Sequence, residues 1–249
     1  MTKTIVFIHG FMNNNKVWTD WKSFFEERGY KVHAPSWPYL DGDVANLQQS
    51  PNPALAQLTF SDVVSHYQDY IATLTEKPIL IGHSLGGVIV QKLEELDCAA
   101  KAVCVNSGPP KGLAILDWNF IVSNLQLLNP LSKAPTVWMS DKWYHTYVTN
   151  DLTFEETKAF RARYTLPSSK QVSKTIEAID FAKPHAPLLF IAGGADKSQP
   201  AKINLKNAKA YTDKTSQVDY KCFAERTHNT LNQTGWQDVA DYICQWVES

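Results

Sequence analysis

Cysteine is scarce in this chain, and the spacings that give cysteine a structural role are missing. Only four cysteines occur in 249 residues, and none forms a C-x-x-C pair or another zinc-binding spacing. A chain of this length can bury a full core without disulfide bonds, so we expect four reduced thiols. Two of them, Cys104 and Cys222, are predicted to lie within strands as small apolar residues.

The sequence also lacks an excess of charge of either sign. Its 24 basic and 25 acidic residues leave a net charge of −1. Because nucleic acids and anionic membrane surfaces attract strongly basic proteins, neither is an expected partner. A neutral or apolar small molecule is the partner that this balance favours.

Long apolar runs are absent as well. The first one, Ile5–Ile8, is too short for the core of a signal peptide, and no later run approaches the length of a membrane span. We therefore expect a cytoplasmic protein that does not insert into membranes. No Gly/Ser-rich or Pro-rich linker divides the chain, so its length fits one large domain or two small ones.

Motifs for common cofactors and metals are missing too. Residues 82–87 contain several glycines, but they lack the lysine of a phosphate-binding loop and the G-x-G-x-x-G order of a dinucleotide site. No H-E-x-x-H motif or carboxylate cluster indicates a metal site. We expect no cofactor and no metal.

The most informative stretch that is present covers residues 78–90. A short apolar run ending at Gly82 predicts a buried parallel strand, and apolar residues at helical spacing from Leu85 onward predict a helix. Between them, Gly82, Ser84 and Gly86 match G-x-S-x-G, in which a strained turn raises a serine hydroxyl above the sheet edge. Glycine is needed on both sides of the serine because side chains in so tight a turn would clash.

Strand and helix patterns alternate along most of the chain, which predicts an α/β fold with a mostly parallel sheet flanked by helices. Strands are predicted at residues 4–8, 30–34, 78–82, 101–105, 187–192 and 217–223. Residues 39–58 show no clear period and are interpreted as a connecting excursion.

One long segment interrupts the alternation. Between Pro110 and Pro187 the strand patterns lapse and aromatic residues are frequent. Helices are predicted there at 118–128, 141–148 and 153–164, the last opened by a capping box from Thr153 to Glu156. We expect residues 109–186 to form a helical cap on a core made of residues 1–108 and 187–249.

A nucleophilic serine requires two partner side chains, a base and an acid. A serine hydroxyl becomes nucleophilic only when a base takes its proton, and that base needs a carboxylate to orient it. Reactive groups in such sheets gather at the carboxyl ends of the strands, where Asp196 and His228 are placed. The catalytic candidates are thus Ser84, Asp196 and His228, in that chain order. Alternative positions for the acid are Asp213, Asp219 and Glu225.

Backbone N–H groups must hold the oxyanion of the intermediate. Leu85, directly after the serine, would supply one N–H group. Phe11, in the loop after the first strand, would supply the other, with Met12 as the alternative, and the side chains of both would form pocket wall. Further candidate wall residues are Trp138, Trp143, Tyr144 and Tyr147, unless they simply pack within the cap.

With these residues assembled, the chain resembles the α/β-hydrolase superfamily over nearly its whole length. The motifs that carry the resemblance are His9-Gly10-Phe11, residues 82–87, residues 193–196 and Thr227-His228. It is most similar to compact bacterial serine esterases with a helical cap. The two antiparallel strands that open the sheet in that family are missing here, so we expect about six strands.

The resemblance implies a serine hydrolase, carboxylesterase-like, that cleaves small to medium hydrophobic carboxylic esters through an acyl-enzyme. The fold alone does not decide among the chemistries that share it. Open alternatives are a thioesterase, a lactonase, a perhydrolase or haloperoxidase, a lyase or C–C hydrolase, and a ligand-binding shell without turnover.

Overall fold

A parallel sheet forms the centre of the molecule. The computed structural model describes residues 2–128 and 134–249. The strands in these ranges are β1 (Thr4–Ile8), β2 (Lys31–His33), β3 (Ile79–His83), β4 (Lys101–Val105), β5 (Thr136–Val137), β6 (Ser168–Ser169), β7 (Leu188–Gly193) and β8 (Val218–Phe223). Six of them form one sheet in the order β2-β1-β3-β4-β7-β8, with every neighbouring pair parallel. This confirms the predicted α/β class and the expected number of strands.

Helices cover both faces of this sheet. The α-helices in the described ranges are α1 (Thr19–Glu26), α2 (Val44–Gln49), α3 (Phe60–Ala72), α4 (Leu85–Glu95), α5 (Trp118–Leu128), α6 (Asp141–Tyr147), α7 (Phe154–Tyr164), α8 (Lys170–Lys174), α9 (Ala201–Ala210) and α10 (Gln237–Glu248). Short 3₁₀ helices cover Asn15–Trp18 and Pro53–Gln57. None of these helices has the length and apolarity that crossing a membrane requires.

Strand β1 shows why a short, continuous run of apolar residues predicts a central strand. All five of its residues are buried. Val6 and Ile8 face the core packed under α3 and α4, whereas Ile5 and Phe7 face the core packed under α1 and α10. The Phe7 ring stacks on Trp18 with 4.4 Å between the ring centroids. After Thr4 the strand is a continuous apolar run, as is typical of strands buried on both faces of a parallel sheet.

The register of the strands brings their carboxyl ends to one edge. Ile8 lies beside Gly82, Gly82 beside Cys104, and Val105 beside Ile191. The loops that follow β1, β3, β4 and β7 therefore begin next to one another. The candidate residues follow the ends of these strands in the sequence. The sheet therefore brings them to the same edge.

Two features of the fold differ from the predictions. Residues 39–58, interpreted as an excursion, contain α2 and a 3₁₀ helix. Both Cys104 and Cys222 lie within strands as predicted, but only Cys104 is buried; Cys222 is exposed because β8 is an edge strand whose residues are only partly covered. All four cysteines are free thiols.

The segment between β4 and β7 contains α5 to α8. The predicted helices there agree with α5, α6 and α7 to within a residue at each end, and the capping box between Thr153 and Glu156 is confirmed. The segment also contains a small antiparallel sheet, in which β5 pairs with β6. That sheet was missed because strands of two residues carry no periodicity.

Glycine allows α4 to lie against β1 and β3 in backbone contact. A Cβ atom at Gly86 would lie 2.3 Å from the carbonyl oxygen of Ile8, and one at Gly82 would lie 2.3 Å from that of Gly86. Backbone atoms cannot move aside as the end of a side chain can. The steric reason predicted for these glycines is confirmed, although Gly86 is constrained by β1 rather than by Gly82.

We expect Gly86→Ala to lower the free energy of unfolding by about 3 kcal/mol, because α4 must move away from β1. Gly108→Ala is the matched control, since its added methyl would meet the Val88 side chain at an ordinary 3.4 Å. Urea titration followed by tryptophan fluorescence measures both. Equal stability of the two variants would contradict the close approach.

Candidate active site

Ser84 occupies a strained turn between β3 and α4. Its φ is 58° and its ψ is −122°, a conformation that residues with a side chain rarely adopt. The Ser84 N–H group donates to the Val105 carbonyl at 3.0 Å, and its own carbonyl accepts from Gly87 at 2.9 Å. These bonds stabilise the turn against its strain. The hydroxyl is half-buried at the carboxyl edge of the sheet.

The His228 ring lies between this hydroxyl and a carboxylate. Its Nε2 is 3.0 Å from Ser84 Oγ, and its Nδ1 is 2.7 Å from Asp196 Oδ2. A carboxylate only accepts hydrogen bonds, so Nδ1 carries the proton in the neutral ring. Nε2 then has a free lone pair directed at the hydroxyl, which is the geometry of a general base.

The Asp196 carboxylate is fully occupied by donors. Its Oδ1 accepts from the N–H groups of Ser198 at 2.8 Å and Gln199 at 2.7 Å, while Oδ2 accepts from His228. The side chain has no exposed surface. Burial of a carboxylate is costly unless it is hydrogen-bonded, and three N–H donors compensate here.

The other carboxylates considered for this position are bonded elsewhere or lie at the surface. Asp213 accepts from Thr215 and Ser216. Asp219 accepts from the Trp246 indole at 2.7 Å, and Glu225 is exposed.

Asn106, which follows β4, binds the loop that carries His228. Its Nδ2 donates to the Thr227 carbonyl and to Thr230 Oγ1, both at 2.9 Å, and its Oδ1 accepts from the Gly193 N–H group at 2.7 Å. The side chain therefore links β4, β7 and the histidine loop. The sequence predicted no role for Asn106, although its position directly after a strand was a signal.

Two backbone N–H groups beside Ser84 lack a hydrogen-bond acceptor among the described residues, those of Phe11 and Leu85. The N–H group of Met12 instead donates to Ser168 Oγ at 2.8 Å. Of the two alternatives in the first loop, Phe11 is thus the one with a free donor. The loop lies directly on the turn, since a Cβ atom at Gly10 would be 2.9 Å from Ser84 Cβ.

His9 orients the peptide that carries the Phe11 N–H group. Its Nε2 accepts from the Trp37 N–H group at 2.9 Å, so the protonated Nδ1 donates to the Gly10 carbonyl, also at 2.9 Å. In a trans peptide the N–H group points away from the carbonyl. With the Gly10 carbonyl bound to the ring, the Phe11 N–H group is directed away from His9.

Both histidines that flank the turns are buried and uncharged. Burial lowers the pKa of His9 to about 4. Burial, together with the neighbouring His228, holds the pKa of His83 well below its usual value. The Nε2–H group of His83 donates to the His228 carbonyl at 2.9 Å. His9 therefore needs a bare Nε2 to accept from Trp37, which a charged ring would not provide.

A cavity of about 160 Å³ opens beside Ser84 and His228. Its wall is mostly apolar and comes from the loops after the strands and from α5, α6 and α7. The apolar side chains of this wall are those of Phe11, Met12, Val17, Leu85, Val88, Pro109, Phe120, Trp143, Tyr144, Val148, Phe160, Tyr164, Ile176 and Leu231. None of the wall residues identified in the described ranges is Lys, Arg, Asp or Glu.

The predicted pocket residues divide into two groups. Met12, Trp143 and Tyr144 line the cavity. Trp138 and Tyr147 lie outside its wall: Trp138 is half-exposed with its ring over the Arg161 guanidinium, and the Tyr147 ring packs against Trp143. Phe120, Phe160 and Tyr164 do line it, and their place in the aromatic-rich segment was the signal in the sequence.

Metal-binding side chains are not gathered here. Within the two described ranges, no group of three or more His, Cys, Asp or Glu side chains is placed to hold a metal ion.

Comparison with known proteins assigns the chain to a family. The sequence profile of the alpha/beta hydrolase family matches residues 5–241, nearly the whole chain. The protein belongs to the alpha/beta hydrolase family. Membership supports hydrolase activity. No curated protein sequence matches the chain significantly.

Solved structures of the same fold superimpose over nearly the full length. Polyneuridine aldehyde esterase has a TM-score of 0.71 at 18% identity, with 99% of this chain and 100% of that chain covered. Tomato methylketone synthase I with 2-tridecanone has a TM-score of 0.72 at 19% identity, with 100% and 98% covered. A pyrethroid hydrolase from Sphingobium faniae has a TM-score of 0.74 at 16% identity, also with 100% and 98% covered. At these identities the likeness shows the alpha/beta hydrolase fold alone.

The buried neutral histidines predict acid sensitivity. Between about pH 6.5 and pH 4 the unfolded chain binds protons on His9 and His83 that the folded chain excludes, so stability falls as the pH falls. Each such histidine contributes at most about 1.4 kcal/mol per pH unit.

Urea titration at pH 7 and pH 5 tests this, with His9→Asn expected to be less stable at pH 7 yet less pH-dependent. Val63→Ala, which removes buried methyl groups and no titratable group, is the control and should be less stable while keeping the pH dependence of the wild type. An unchanged pH dependence in His9→Asn would contradict the assignment to His9.

Proposed function

We propose that this alpha/beta hydrolase is a serine hydrolase that cleaves small to medium, uncharged, hydrophobic carboxylic esters. The observation that carries the proposal is the continuous hydrogen-bonded chain from Ser84 Oγ through the His228 ring to Asp196, at the wall of an apolar cavity. In this proposal Ser84 is the nucleophile, His228 the general base and acid, and Asp196 the residue that orients the ring.

Acylation follows from the positions of these groups. Ser84 Oγ attacks the ester carbonyl carbon as its proton passes to His228 Nε2, and the carbonyl oxygen becomes an oxyanion. The imidazolium then returns the proton to the leaving alkoxide, so that the alcohol departs and the acyl group stays on Ser84. Asp196 stabilises the imidazolium and keeps its proton on Nδ1.

The free N–H groups of Phe11 and Leu85 would hold the oxyanion. Both lack an acceptor among the described residues, and Leu85 begins α4, whose N-terminus favours negative charge. Donors already oriented by the fold stabilise the intermediate without reorganising. Ser168 supports this arrangement by occupying the neighbouring Met12 N–H group.

Deacylation repeats these steps with water as the nucleophile. His228 Nε2 takes a proton from the water, which attacks the acyl carbon, and Ser84 leaves with that proton as the free carboxylic acid is released. The enzyme is regenerated, and each ester yields one acid and one alcohol.

The cavity supports the substrate class. An apolar cavity of about 150 Å³ accommodates a benzene ring, and this one is similar at about 160 Å³. A wall without Lys, Arg, Asp or Glu among its described residues offers no partner for a charged acyl or alcohol group. We therefore expect neutral esters with one compact apolar group.

We also propose that residues 109–186 act as a cap over this cavity. The support is that α5, α6 and α7 supply Phe120, Trp143, Tyr144, Phe160 and Tyr164 to its wall. The core of residues 1–108 and 187–249 would then supply the reacting groups.

Ser84→Ala should abolish both covalent labelling by a fluorophosphonate and hydrolysis of p-nitrophenyl esters, with a loss of at least about 10⁴-fold in kcat. Hydrolysis of a series of p-nitrophenyl esters with acyl chains of rising length should release acid and alcohol in a 1:1 ratio from the short and medium esters. Undiminished labelling of Ser84→Ala would refute the assignment of the nucleophile. A ketone product or carbon–carbon cleavage would refute the ester chemistry.

Asp196→Asn should keep the fold yet lower kcat by about 10⁴-fold, because an amide can leave the imidazole in the wrong tautomer. The matched control is Asp219→Asn, whose carboxylate accepts from the Trp246 indole and the Gln217 amide rather than from His228. That control should change kcat by no more than about twofold. A reversed order of the two effects would move the acid role to Asp219.

A further inference from the structure

A turn between α6 and α7 contacts the loop of the proposed general base. The turn covers residues 148–151, within the segment we propose as the cap. Both oxygens of the Asp151 carboxylate accept hydrogen bonds from the histidine loop: Oδ1 from Thr227 Oγ1 at 2.9 Å and Oδ2 from Asn229 Nδ2 at 3.1 Å. These donors are the two chain neighbours of His228.

The backbone of the turn adds a third contact to the same loop. The N–H group of Asn229 donates to the Val148 carbonyl at 3.0 Å. Thr227, Asn229 and His228 are all buried and Asp151 is half-buried, so these hydrogen bonds are partly shielded from water. The segment that carries His228 has no helix or strand of its own, and so it depends on such contacts for its position.

The turn also reaches the loop of the proposed acid. Asn150 Nδ2 donates to the carbonyl of Ala195, the residue before Asp196, at 3.2 Å. One short turn is thus bonded to both loops whose side chains form the His228–Asp196 pair.

The turn is itself anchored to the helices on either side. The N–H groups of Val148 and Thr149 donate to the Tyr144 carbonyl in α6, at 2.8 and 2.9 Å. The Thr149 hydroxyl lies 2.8 Å from that of Thr157 in α7. The helices α6 and α7 therefore hold the turn in place where it contacts the loops of His228 and Asp196.

We infer that Asp151 is a positioning residue that holds the His228 imidazole in line with Ser84, through Thr227 and Asn229. The inference rests on the proposed function, since it assigns Asp151 to the same site. Asp151 contacts neither the hydroxyl nor the ring. Its effect is to keep the loop from drifting, and a misplacement of about 1 Å can cost about 100-fold in rate.

The first test is a pair of substitutions at this position. Asp151→Ala removes acceptors from both neighbours of His228, whereas Asp151→Asn keeps an oxygen for Thr227 and turns an N–H group towards Asn229. We expect kcat to fall by about 100-fold and about tenfold respectively, with KM nearly unchanged. The rate of fluorophosphonate labelling of Ser84 should fall in parallel.

The matched control is Asp180→Asn, which makes the same chemical change in the same segment. Asp180 is exposed, and its carboxylate accepts from the Ala182 N–H group rather than from a catalytic loop. Its kcat should equal that of the wild type. An equal loss in Asp180→Asn, or an unchanged kcat in folded Asp151→Ala, would overturn the inference.

A reciprocal exchange tests the hydrogen bond itself. In Asp151→Asn/Asn229→Asp the amide at 151 can donate to the carboxylate at 229, which restores the pair in the opposite direction. We expect the double variant to recover most of the kcat that each single variant loses. A folded double variant no more active than Asp151→Asn would show that the pair does not position His228.

An NMR measurement separates failure of this inference from failure of the proposed function. The Nδ1 proton of His228, assigned by its loss in His228→Gln, should exchange with solvent faster in Asp151→Ala than in the wild type. This readout needs no substrate. If the wild type neither labels nor hydrolyses esters, the proposed function fails while the exchange rate still reports on Asp151; unchanged exchange overturns the positioning role alone.

Discussion

The imidazole of His228 lies between a carboxylate 2.7 Å away and a hydroxyl 3.0 Å away, on a loop with no helix or strand of its own. Side chains from three other parts of the site bind this loop. Asn106 binds it from the end of β4, His83 from the turn that carries Ser84, and Asp151 from the segment between α6 and α7. An irregular loop holds one position only when the free energy of such contacts exceeds the conformational entropy cost of ordering the loop.

Two buried neutral histidines bind the backbone of the loops around Ser84. His9 bonds backbone groups through both ring nitrogens, and His83 binds the His228 carbonyl. A neutral imidazole can accept at one nitrogen and donate at the other, whereas a charged one can only donate. Burial lowers the pKa of both rings, and the cost appears as acid sensitivity of the fold.

Local patterns predicted the parts of this protein that local physics controls. The alternation of strands and helices, the glycines around Ser84, and the bounds of α5 to α7 depend on periodicity, sterics and capping, and all are readable along the chain. Helix α2 and the strands β5 and β6 escaped prediction because each is too short to show a period and is stabilised by what packs on it. Trp138 was predicted to line the pocket and does not, for a related reason. The sequence does not show whether an aromatic ring faces a cavity or packs against a guanidinium.

The sequence by itself determined the order of the strands along the chain, the turn that presents Ser84, and the short set of residues that follow strand ends, Asp196 and His228 among them. Only the tertiary structure decided that Asp196 rather than Asp213, Asp219 or Glu225 meets His228, that Phe11 rather than Met12 has a free N–H group, and that Asp151 binds the histidine loop. The physical reason is distance along the chain. Hydrogen bonds between residues tens of positions apart depend on how loops pack, and no local pattern records that packing.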